Sequence, residues 1–155
     1  MKIIVDTREQ DPFTFLHERY DCEIAQGTLD TGDYSLAGLT DRVSVERKSL
    51  ADLVGCLGSG RDRFEHELQR AAALESFMVV IEASWKELSS GNYRSRMNPH
   101  AACQSVLAFI SRYRIPFHFA GSRQAAEYCT WGFLRHYLES ARKRYQIIIK
   151  SHEDE

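Results

Sequence analysis

Long apolar segments are missing from this sequence. No hydrophobic run approaches the ~20 residues that a membrane-spanning helix needs. The amino terminus reaches a carboxylate at Asp6, so it lacks the longer apolar stretch of a secretory signal peptide. These absences predict a cytoplasmic protein that has no membrane partner.

Cysteine is scarce and is not grouped. The four cysteines, Cys22, Cys56, Cys103 and Cys129, form no C-x-x-C pair, and none has a histidine at zinc-finger spacing. Each lies among apolar neighbours. This favours reduced, buried thiols over the alternatives, which are a disulfide framework and a zinc site.

Positive charge is not in excess. The formal net charge is −2 and the pI is about 6.3, which excludes a protein that coats nucleic acid through bulk charge. A nuclease is compatible with this balance, because bound cations cancel part of the charge of the carboxylates that hold them. The sequence also has no G-x-x-x-x-G-K-[ST] phosphate loop, so Gly55, Gly58 and Gly60 are expected to separate helices rather than to bind ATP.

The chain is long enough for one α/β domain. Its 155 residues support a single hydrophobic core. Hydrophobic patterns predict strands at 2–8, 22–29, 33–37, 43–48, 77–83 and 116–120, and helices at 50–57, 61–75, 99–114 and 123–145, with a short helix opening at Ser84. This order predicts a central mixed sheet flanked by helices. We expect residues 1–146 to form the domain and 147–155 to form a partly disordered tail.

The residues that suggest chemistry lie in the first third of the chain. Glu46 and Lys48 are two apart on a predicted strand, so their side chains point to the same side. Asp33 comes from a neighbouring strand-like segment, and Asp6 ends the first strand. Carboxylate oxygens suit Mg²⁺ or Mn²⁺, which lower the pKa of a bound water, and a lysine can stabilise the developing charge. The set predicts phosphodiester hydrolysis, although a solvated strand face would also explain Glu46 and Lys48.

A longer string strengthens this interpretation. The sequence carries Gly32-Asp33-Tyr34, then Val45-Glu46-Arg47-Lys48-Ser49, Asp52-Leu53 and Gly60-Arg61, after an opening Ile4-Val5-Asp6-Thr7-Arg8-Glu9. It resembles the nuclease domain of the XPF/Hef family of structure-specific endonucleases, whose pattern is GDY…VERKS-x-x-DL followed by a glycine-arginine turn. The resemblance implies a restriction-endonuclease-like (PD-(D/E)XK) fold and metal-dependent cleavage of DNA near branches or flaps.

The resemblance also implies roles for individual residues. Asp33 and Glu46 would bind Mg²⁺ or Mn²⁺ together with Asp6, and Lys48 would be the catalytic lysine. Arg47 and Asp52 would complete the catalytic set. Two alternatives stay open: Arg47 points away from Glu46 on a regular strand and could pair with a carboxylate, and Asp52 is also the N3 residue of a capping box.

Basic residues predict the DNA-binding surface. The candidates are Arg8, Arg61, Arg63, Tyr93, Arg94 and Arg96. Arg61 and Arg63 open a helix after a glycine-rich turn, where backbone N–H groups and the helix dipole favour phosphate. Tyr93 lies beside two arginines and could stack on a base. Solvated arginines and an ordinary surface loop are the alternatives.

The sequence differs from the family pattern in its surroundings. Its 155 residues contain neither a helix-hairpin-helix module nor a helicase region. This resembles a stand-alone bacterial or phage form, with a separate DNA-binding or helicase partner. The rival hypotheses are an inactive relative that only binds DNA or a partner, and another PD-(D/E)XK activity. Asn98-Pro-His100 has a weaker likeness to an HNH site, and a helix start explains it better.

The last two predicted helices suggest a homodimer. Their apolar residues cover more than one helical face: Val106, Leu107, Phe109, Ile110, Tyr113, Ala126, Tyr128, Cys129, Trp131, Phe133, Leu134, Tyr137 and Leu138. A surface helix with one neighbour usually has one apolar face. XPF-like nuclease domains are similar in pairing through this region. The alternative is a helix enclosed within one domain.

Overall fold

A six-stranded mixed sheet forms the centre of the molecule. The computed structural model describes residues 1–153. Its strands are β1 (Lys2–Asp6), β2 (Glu23–Gly27), β3 (Tyr34–Leu36), β4 (Val43–Lys48), β5 (Ser76–Ile81) and β6 (Phe117–Phe119), in the spatial order β2-β1-β3-β4-β5-β6. Strand β3 is antiparallel to both of its neighbours, β1 and β4, and the other pairs are parallel. The predicted mixed sheet is therefore confirmed.

Helices cover both faces of this sheet. They are α1 (Leu50–Leu57), α2 (Arg61–Ala71), α3 (Trp85–Ser89), α4 (Pro99–Tyr113) and α5 (Arg123–Glu153). Alternating β5 residues separate two cores: Phe77, Val79 and Ile81 pack with α1, α2 and α4, whereas Met78 and Val80 pack with α5. Within residues 1–153, no helix combines the length and the apolar character needed to cross a membrane.

Helix starts follow local capping signals. The Ser49 hydroxyl accepts from the Asp52 backbone N–H at the start of α1, and Asn98 caps α4 in the same way. Ser84 and Glu87 form a capping box at α3. These elements therefore begin where the sequence predicts. All four cysteines are free thiols, as expected, but only Cys103 is buried and the other three are half-buried.

The last helix corrects the expected tail. Helix α5 continues to Glu153 instead of ending at Tyr145, because residues 142–153 contain neither glycine nor proline. Tyr137 and Arg144 also bond Glu75, which fixes the helix beside the start of β5. The expected tail is thus helical over 147–153, and residues 154–155 lie outside the described residues. Helix α2 is shorter than predicted, because residues 72–75 form turns.

Candidate active site

A cleft of about 620 Å³ opens between one end of the sheet and helices α1 and α2. Most of the predicted catalytic residues line it: Asp6, Asp33, Glu46, Lys48 and Asp52. Of the predicted DNA-binding residues, Arg8 and Arg63 line it too. Strands β1 and β4, the segment before β3 and helices α1 and α2 thus bring together residues that are up to 57 positions apart in sequence, from Asp6 to Arg63.

The residues on either side of Asp33 hold it in place. Gly32 has a positive φ of 81°, and a Cβ there would lie 2.1 Å from the Ser44 hydroxyl, so glycine alone fits. Tyr34 is fully buried and stacks on Phe13, with 5.1 Å between ring centroids. Its hydroxyl accepts a hydrogen bond from the Phe13 backbone N–H at 2.8 Å. The glycine and the tyrosine of the string therefore support the acid between them.

Asp33 and Glu46 are neighbouring acids in a buried environment that disfavours their ionised forms. Burial raises the pKa of Asp33 to about 6, against the hydrogen bond that its Oδ2 accepts from the Arg47 backbone N–H at 2.8 Å. Glu46 is 6% exposed, and its pKa is raised well above the ordinary value by burial and then by the charge of Asp33. A bound cation would relieve this conflict, so the two carboxylates fit a divalent metal.

These acids do not form a closed metal cage. Within the part of the chain that the structure describes, no group of three or more His, Cys, Asp or Glu side chains is arranged to hold an ion. Mg²⁺ is commonly held by one or two carboxylates, with water and substrate phosphate as its other ligands. An open pair of acids in a cleft fits that mode of binding.

Lys48 contributes a positive charge beside Glu46. Its ammonium contacts the Glu46 carboxylate and lies 5.2 Å from the centroid of the Phe64 ring. Burial lowers the pKa of Lys48, but the charges of Glu46 and its acidic neighbours, with the hydrogen bond to Glu46, together raise it overall. The ammonium therefore stays protonated and can act on a phosphate oxygen or on the attacking water.

Asp6 anchors Arg8. Its Oδ1 accepts from the Arg8 backbone N–H and Nε, both at 2.8 Å, and its Oδ2 accepts from Arg8 Nη2 at 3.0 Å and the Leu29 N–H at 2.7 Å. Burial raises the pKa of Asp6, but these hydrogen bonds lower it overall. The predicted ligation of a metal by Asp6 is disfavoured, because the metal would have to displace this set of bonds. The Arg8 side chain is 67% exposed at the cleft.

Comparison with known proteins agrees with this geometry. Residues 5–130 match the family model described as the ERCC4 domain. The chain belongs to the ERCC4-domain family. The expected XPF-type resemblance is therefore confirmed, while a stand-alone bacterial or phage form stays a prediction.

Individual relatives of this ERCC4 domain are much longer proteins. A Methanocaldococcus jannaschii protein named as an ATP-dependent RNA helicase is 32% identical over 119 residues, which are 77% of this chain and 13% of the relative. The DNA repair endonuclease XPF of Drosophila melanogaster is 45% identical over 62 residues, which are 39% of this chain and 6% of the relative.

Solved structures show the same fold. XPF from Aeropyrum pernix matches with a TM-score of 0.70 and 22% identity, over 97% of this chain and 73% of that one. A second structure of XPF from the same organism, in complex with DNA, matches with a TM-score of 0.70 and 21% identity, over 90% and 66%. The expected XPF-like nuclease-domain fold is confirmed.

Helix α2 contributes charged residues to the ERCC4 domain's cleft that were absent from the sequence prediction. Glu67 and Arg70 line the cleft from α2, together with Arg63. The Glu67 carboxyl adds to the causes that raise the pKa of Glu46, after burial and the charge of Asp33. Positions 63, 67 and 70 are i, i+4 and i+7 on a helix, so this spacing was a usable signal.

Two predicted DNA-binding residues form contacts outside the cleft. Arg61 donates to the Ser105 hydroxyl at 3.0 Å and lies 4.7 Å from the Phe109 ring centroid, so it packs α2 against α4. Tyr93 is half-buried, and its hydroxyl donates to the Met97 carbonyl at 3.0 Å. Neither lines the cleft, and their other contacts explain why.

The remaining predicted residues differ in their position relative to the cleft. Arg94 and Arg96 are exposed in the loop before α4 and do not line the cleft. Asp52 lines it, and its Oδ2 accepts from the Ser49 hydroxyl at 2.8 Å, so Ser49 caps α1 but the predicted reciprocal bond to the Ser49 backbone N–H is not formed. Arg47 points to the opposite face of the sheet and pairs with carboxylates there, as the alternative predicted.

Proposed function

We propose that this ERCC4 domain is a divalent-metal-dependent endodeoxyribonuclease that cuts DNA near branches or flaps. The observation that carries this proposal is the pair Asp33 and Glu46, which lies beside Lys48 in an open cleft. Relatives named DNA repair endonuclease XPF, and a solved XPF in complex with DNA, support DNA as the substrate. The chain spans only 6% to 13% of the length of its curated relatives. The activities of those longer proteins are therefore proposed for this chain.

The metal would be Mg²⁺ or Mn²⁺, held by Asp33 and Glu46. When bound, it would lower the pKa of a water and neutralise charge on the phosphate. Lys48 would keep its proton and donate to a phosphate oxygen or orient the water. Glu46 would remain ionised between this ammonium and the cation, which overcomes the effect of its burial.

DNA would enter along the basic rim of the cleft. Arg63 and Arg70 are exposed there on α2, and Arg8 reaches the same rim from the segment after β1. Guanidinium groups are favoured ligands of phosphate, and the hydrogen bonds that Arg8 donates from Nε and Nη2 to Asp6 fix its orientation. The DNA-binding set we propose is therefore Arg8, Arg63 and Arg70, and it excludes Arg61 and Tyr93.

The test is cleavage of labelled flap, fork, junction and linear duplex DNA in Mg²⁺, Mn²⁺ or EDTA. We expect metal-dependent cutting of the branched substrates. Glu46→Gln and Asp33→Asn should each lower the rate by about 10³-fold or more, because each removes a metal ligand. Glu139→Gln, which changes an exposed acid of α5, is the matched control and should cut like the parent.

Two outcomes would count against a metal-dependent nuclease. Full activity in EDTA would remove the role of the metal. DNA binding without cleavage in any tested metal would favour the alternative, a relative that binds DNA or a partner protein without catalysis. A separate helicase or DNA-binding partner and a cytoplasmic location remain predictions.

We also infer that the domain forms homodimers through α4 and α5. Leu107 and Tyr128 are 47% and 49% exposed on these helices, and a dimer interface there would bury them. Trp131 and Leu134 are instead buried within the chain, where Trp131 packs 5.6 Å from Tyr20. These two buried residues belong to the set of apolar residues from which the dimer was predicted. One face of α5 therefore packs inside the chain and is not available to a partner.

Sedimentation equilibrium at micromolar concentration tests this pairing. A parent mass near twice 17.8 kDa is expected, and Leu107→Glu should shift it toward the monomer. Trp131→Glu is unsuitable, because it would place a charge in the core. A parent that remains at the monomer mass across the whole range would rule the dimer out.

A further inference from the structure

A chain of ion pairs lies behind β4, on the sheet face opposite the cleft. Arg47 donates from Nε and Nη2 to Glu9, at 3.2 and 3.0 Å, and from Nη1 to Glu82 at 3.0 Å. Arg123 Nη1 donates to the same Glu82 oxygen at 2.8 Å and lies 3.0 Å from Asp11 Oδ2. These five residues, which we name the rear network, join the segment after β1, strand β4, the end of β5 and the start of α5.

The central part of the rear network is buried. The side chains of Arg47, Glu9 and Glu82 are 11%, 6% and 14% exposed. Removing such charges from water is costly, and a buried pair is often no more stable than an apolar substitute. Gain in overall stability is therefore a weak explanation for this cluster. A requirement for fixed geometry explains it better.

The rear network contacts the candidate active site at two points. The Arg47 backbone N–H donates to Asp33 Oδ2 at 2.8 Å, while the side chain of the same residue is held by Glu9 and Glu82. The Phe13 ring lies 6.0 Å from the Arg47 guanidinium and 5.1 Å from that of Arg123, and it stacks on Tyr34. Both the carboxylate of Asp33 and the residue after it thus depend on this network.

We propose that Glu82 and Arg123, acting through Arg47, are positioning residues for Asp33. Their ion pairs fix the end of β4 so that the Arg47 N–H stays directed at Asp33 Oδ2. The other oxygen of Asp33 would then serve a metal in the cleft, which Asp33 lines. The inference rests on the proposed nuclease function. It assigns the arginine of the Glu46-Arg47-Lys48 string a role on the rear face and excludes direct contact with the scissile phosphate.

The decisive variant is Glu82→Gln, with Glu75→Gln as its matched control. Glu75 also accepts bonds from two arginines and a tyrosine, Arg42, Arg144 and Tyr137, but it lies outside the cleft. Outer partners of metal ligands change affinity or activity about 10- to 100-fold. Glu82→Gln should therefore weaken Mn²⁺ binding by about 10-fold and lower kcat by 10- to 100-fold, with DNA Kd unchanged. Glu75→Gln should leave all three unchanged.

A second readout needs neither metal nor DNA. Hydrogen exchange of the Arg47 backbone amide should accelerate about 10-fold in Glu82→Gln and in Arg123→Gln, because the amide opens more often. Arg123→Lys should restore part of the protection, since it keeps one positive charge beside Glu82. If the parent binds no Mn²⁺ and cuts no DNA, the proposed function fails, and this amide measurement still tests the positioning.

Three results would overturn the positioning role. One is unchanged Arg47 amide exchange in both variants. Another is faster exchange with parental Mn²⁺ affinity and kcat, which would show that the bond to Asp33 has no effect on the site. The third is an equal loss of Mn²⁺ affinity in Glu75→Gln, which would reveal general destabilisation.

Discussion

The two faces of β4 handle buried charge in opposite ways. On the cleft face, Asp33 and Glu46 share the positive charge of Lys48, and the pKa of both acids is raised. On the rear face, burial also raises the pKa of Glu9, but hydrogen bonds from Arg47 lower it overall. Burial acts in the same direction on both faces. The supply of cationic partners makes the difference.

This contrast shows where a ligand would bind. The rear network is complete, because its buried acids already have guanidinium partners. The cleft face has more buried negative charge than Lys48 neutralises, and such an excess is unfavourable unless something positive joins it. Buried acids without enough cationic partners on the cleft face, beside fully paired acids on the rear face, are typical of a functional site on a rigid support.

The largest effect is expected from removing Lys48, the cation that lies beside the acids of the cleft face. Lys48→Met should lower kcat about 10²- to 10³-fold, the usual loss for one donor to a developing oxyanion. DNA Kd should change by less than about threefold, because phosphate contacts on the rim persist. Single-turnover cleavage and binding isotherms measure the two effects. Lys143→Gln on the exposed side of α5 is the control, and a Lys48→Met enzyme with parental kcat would contradict the assigned role.

The next largest effect concerns stability in the absence of metal. The folded protein holds a proton on Asp33 that the unfolded chain releases above pH 4, so the unfolding free energy falls as pH rises from about 4 to about 6. Raising a pKa from 3.8 to about 6 corresponds to about 3 kcal/mol. Asp33→Asn should therefore be more stable than the metal-free parent above pH 6.

Urea denaturation of both proteins at several pH values measures this difference. The comparison with Asp33→Asn separates Asp33 from acids with lowered pKa, such as Glu75, which change stability in the opposite sense at lower pH. Added Mn²⁺ should stabilise the parent and leave the variant nearly unchanged. If the unfolding free energies of the two proteins depend on pH in the same way, Asp33 does not have a raised pKa in the folded protein.

Local patterns were sufficient to predict one side of this contrast. The alternation of side chains along β4 separates Glu46 and Lys48 from Arg47, and capping residues such as Ser49 and Asn98 mark helix starts. These signals lie within a few residues of what they predict. The α/β order followed from them, and the resemblance to the XPF/Hef family then implied the roles of the cleft acids.

Contacts between distant elements could not be obtained in this way. The rotation of α2 decides that Arg63 and Glu67 face the cleft while Arg61 faces Ser105 of α4, and packing sets that rotation. Likewise, the loop that brings the Leu29 N–H to Asp6 gives this carboxylate a bond from a residue 23 positions away. The rear network joins Glu9 to Glu82 and Arg123 only after the sheet has formed, and no local pattern shows it.

The smallest expected effect tests whether the cleft face is also the DNA face. Each phosphate contact contributes about one unit to the dependence of log Kd on log salt concentration. Arg63→Ala and Arg70→Ala should each reduce that slope by about 1 and weaken binding severalfold at low salt. Arg61→Ala is the matched control on the same helix, because its guanidinium is held by Ser105 and should leave the slope unchanged. Binding isotherms at four or more salt concentrations give the slopes. A reduced slope for Arg61→Ala, with parental slopes for Arg63→Ala and Arg70→Ala, would move the DNA path from the cleft to the α4 side of the molecule.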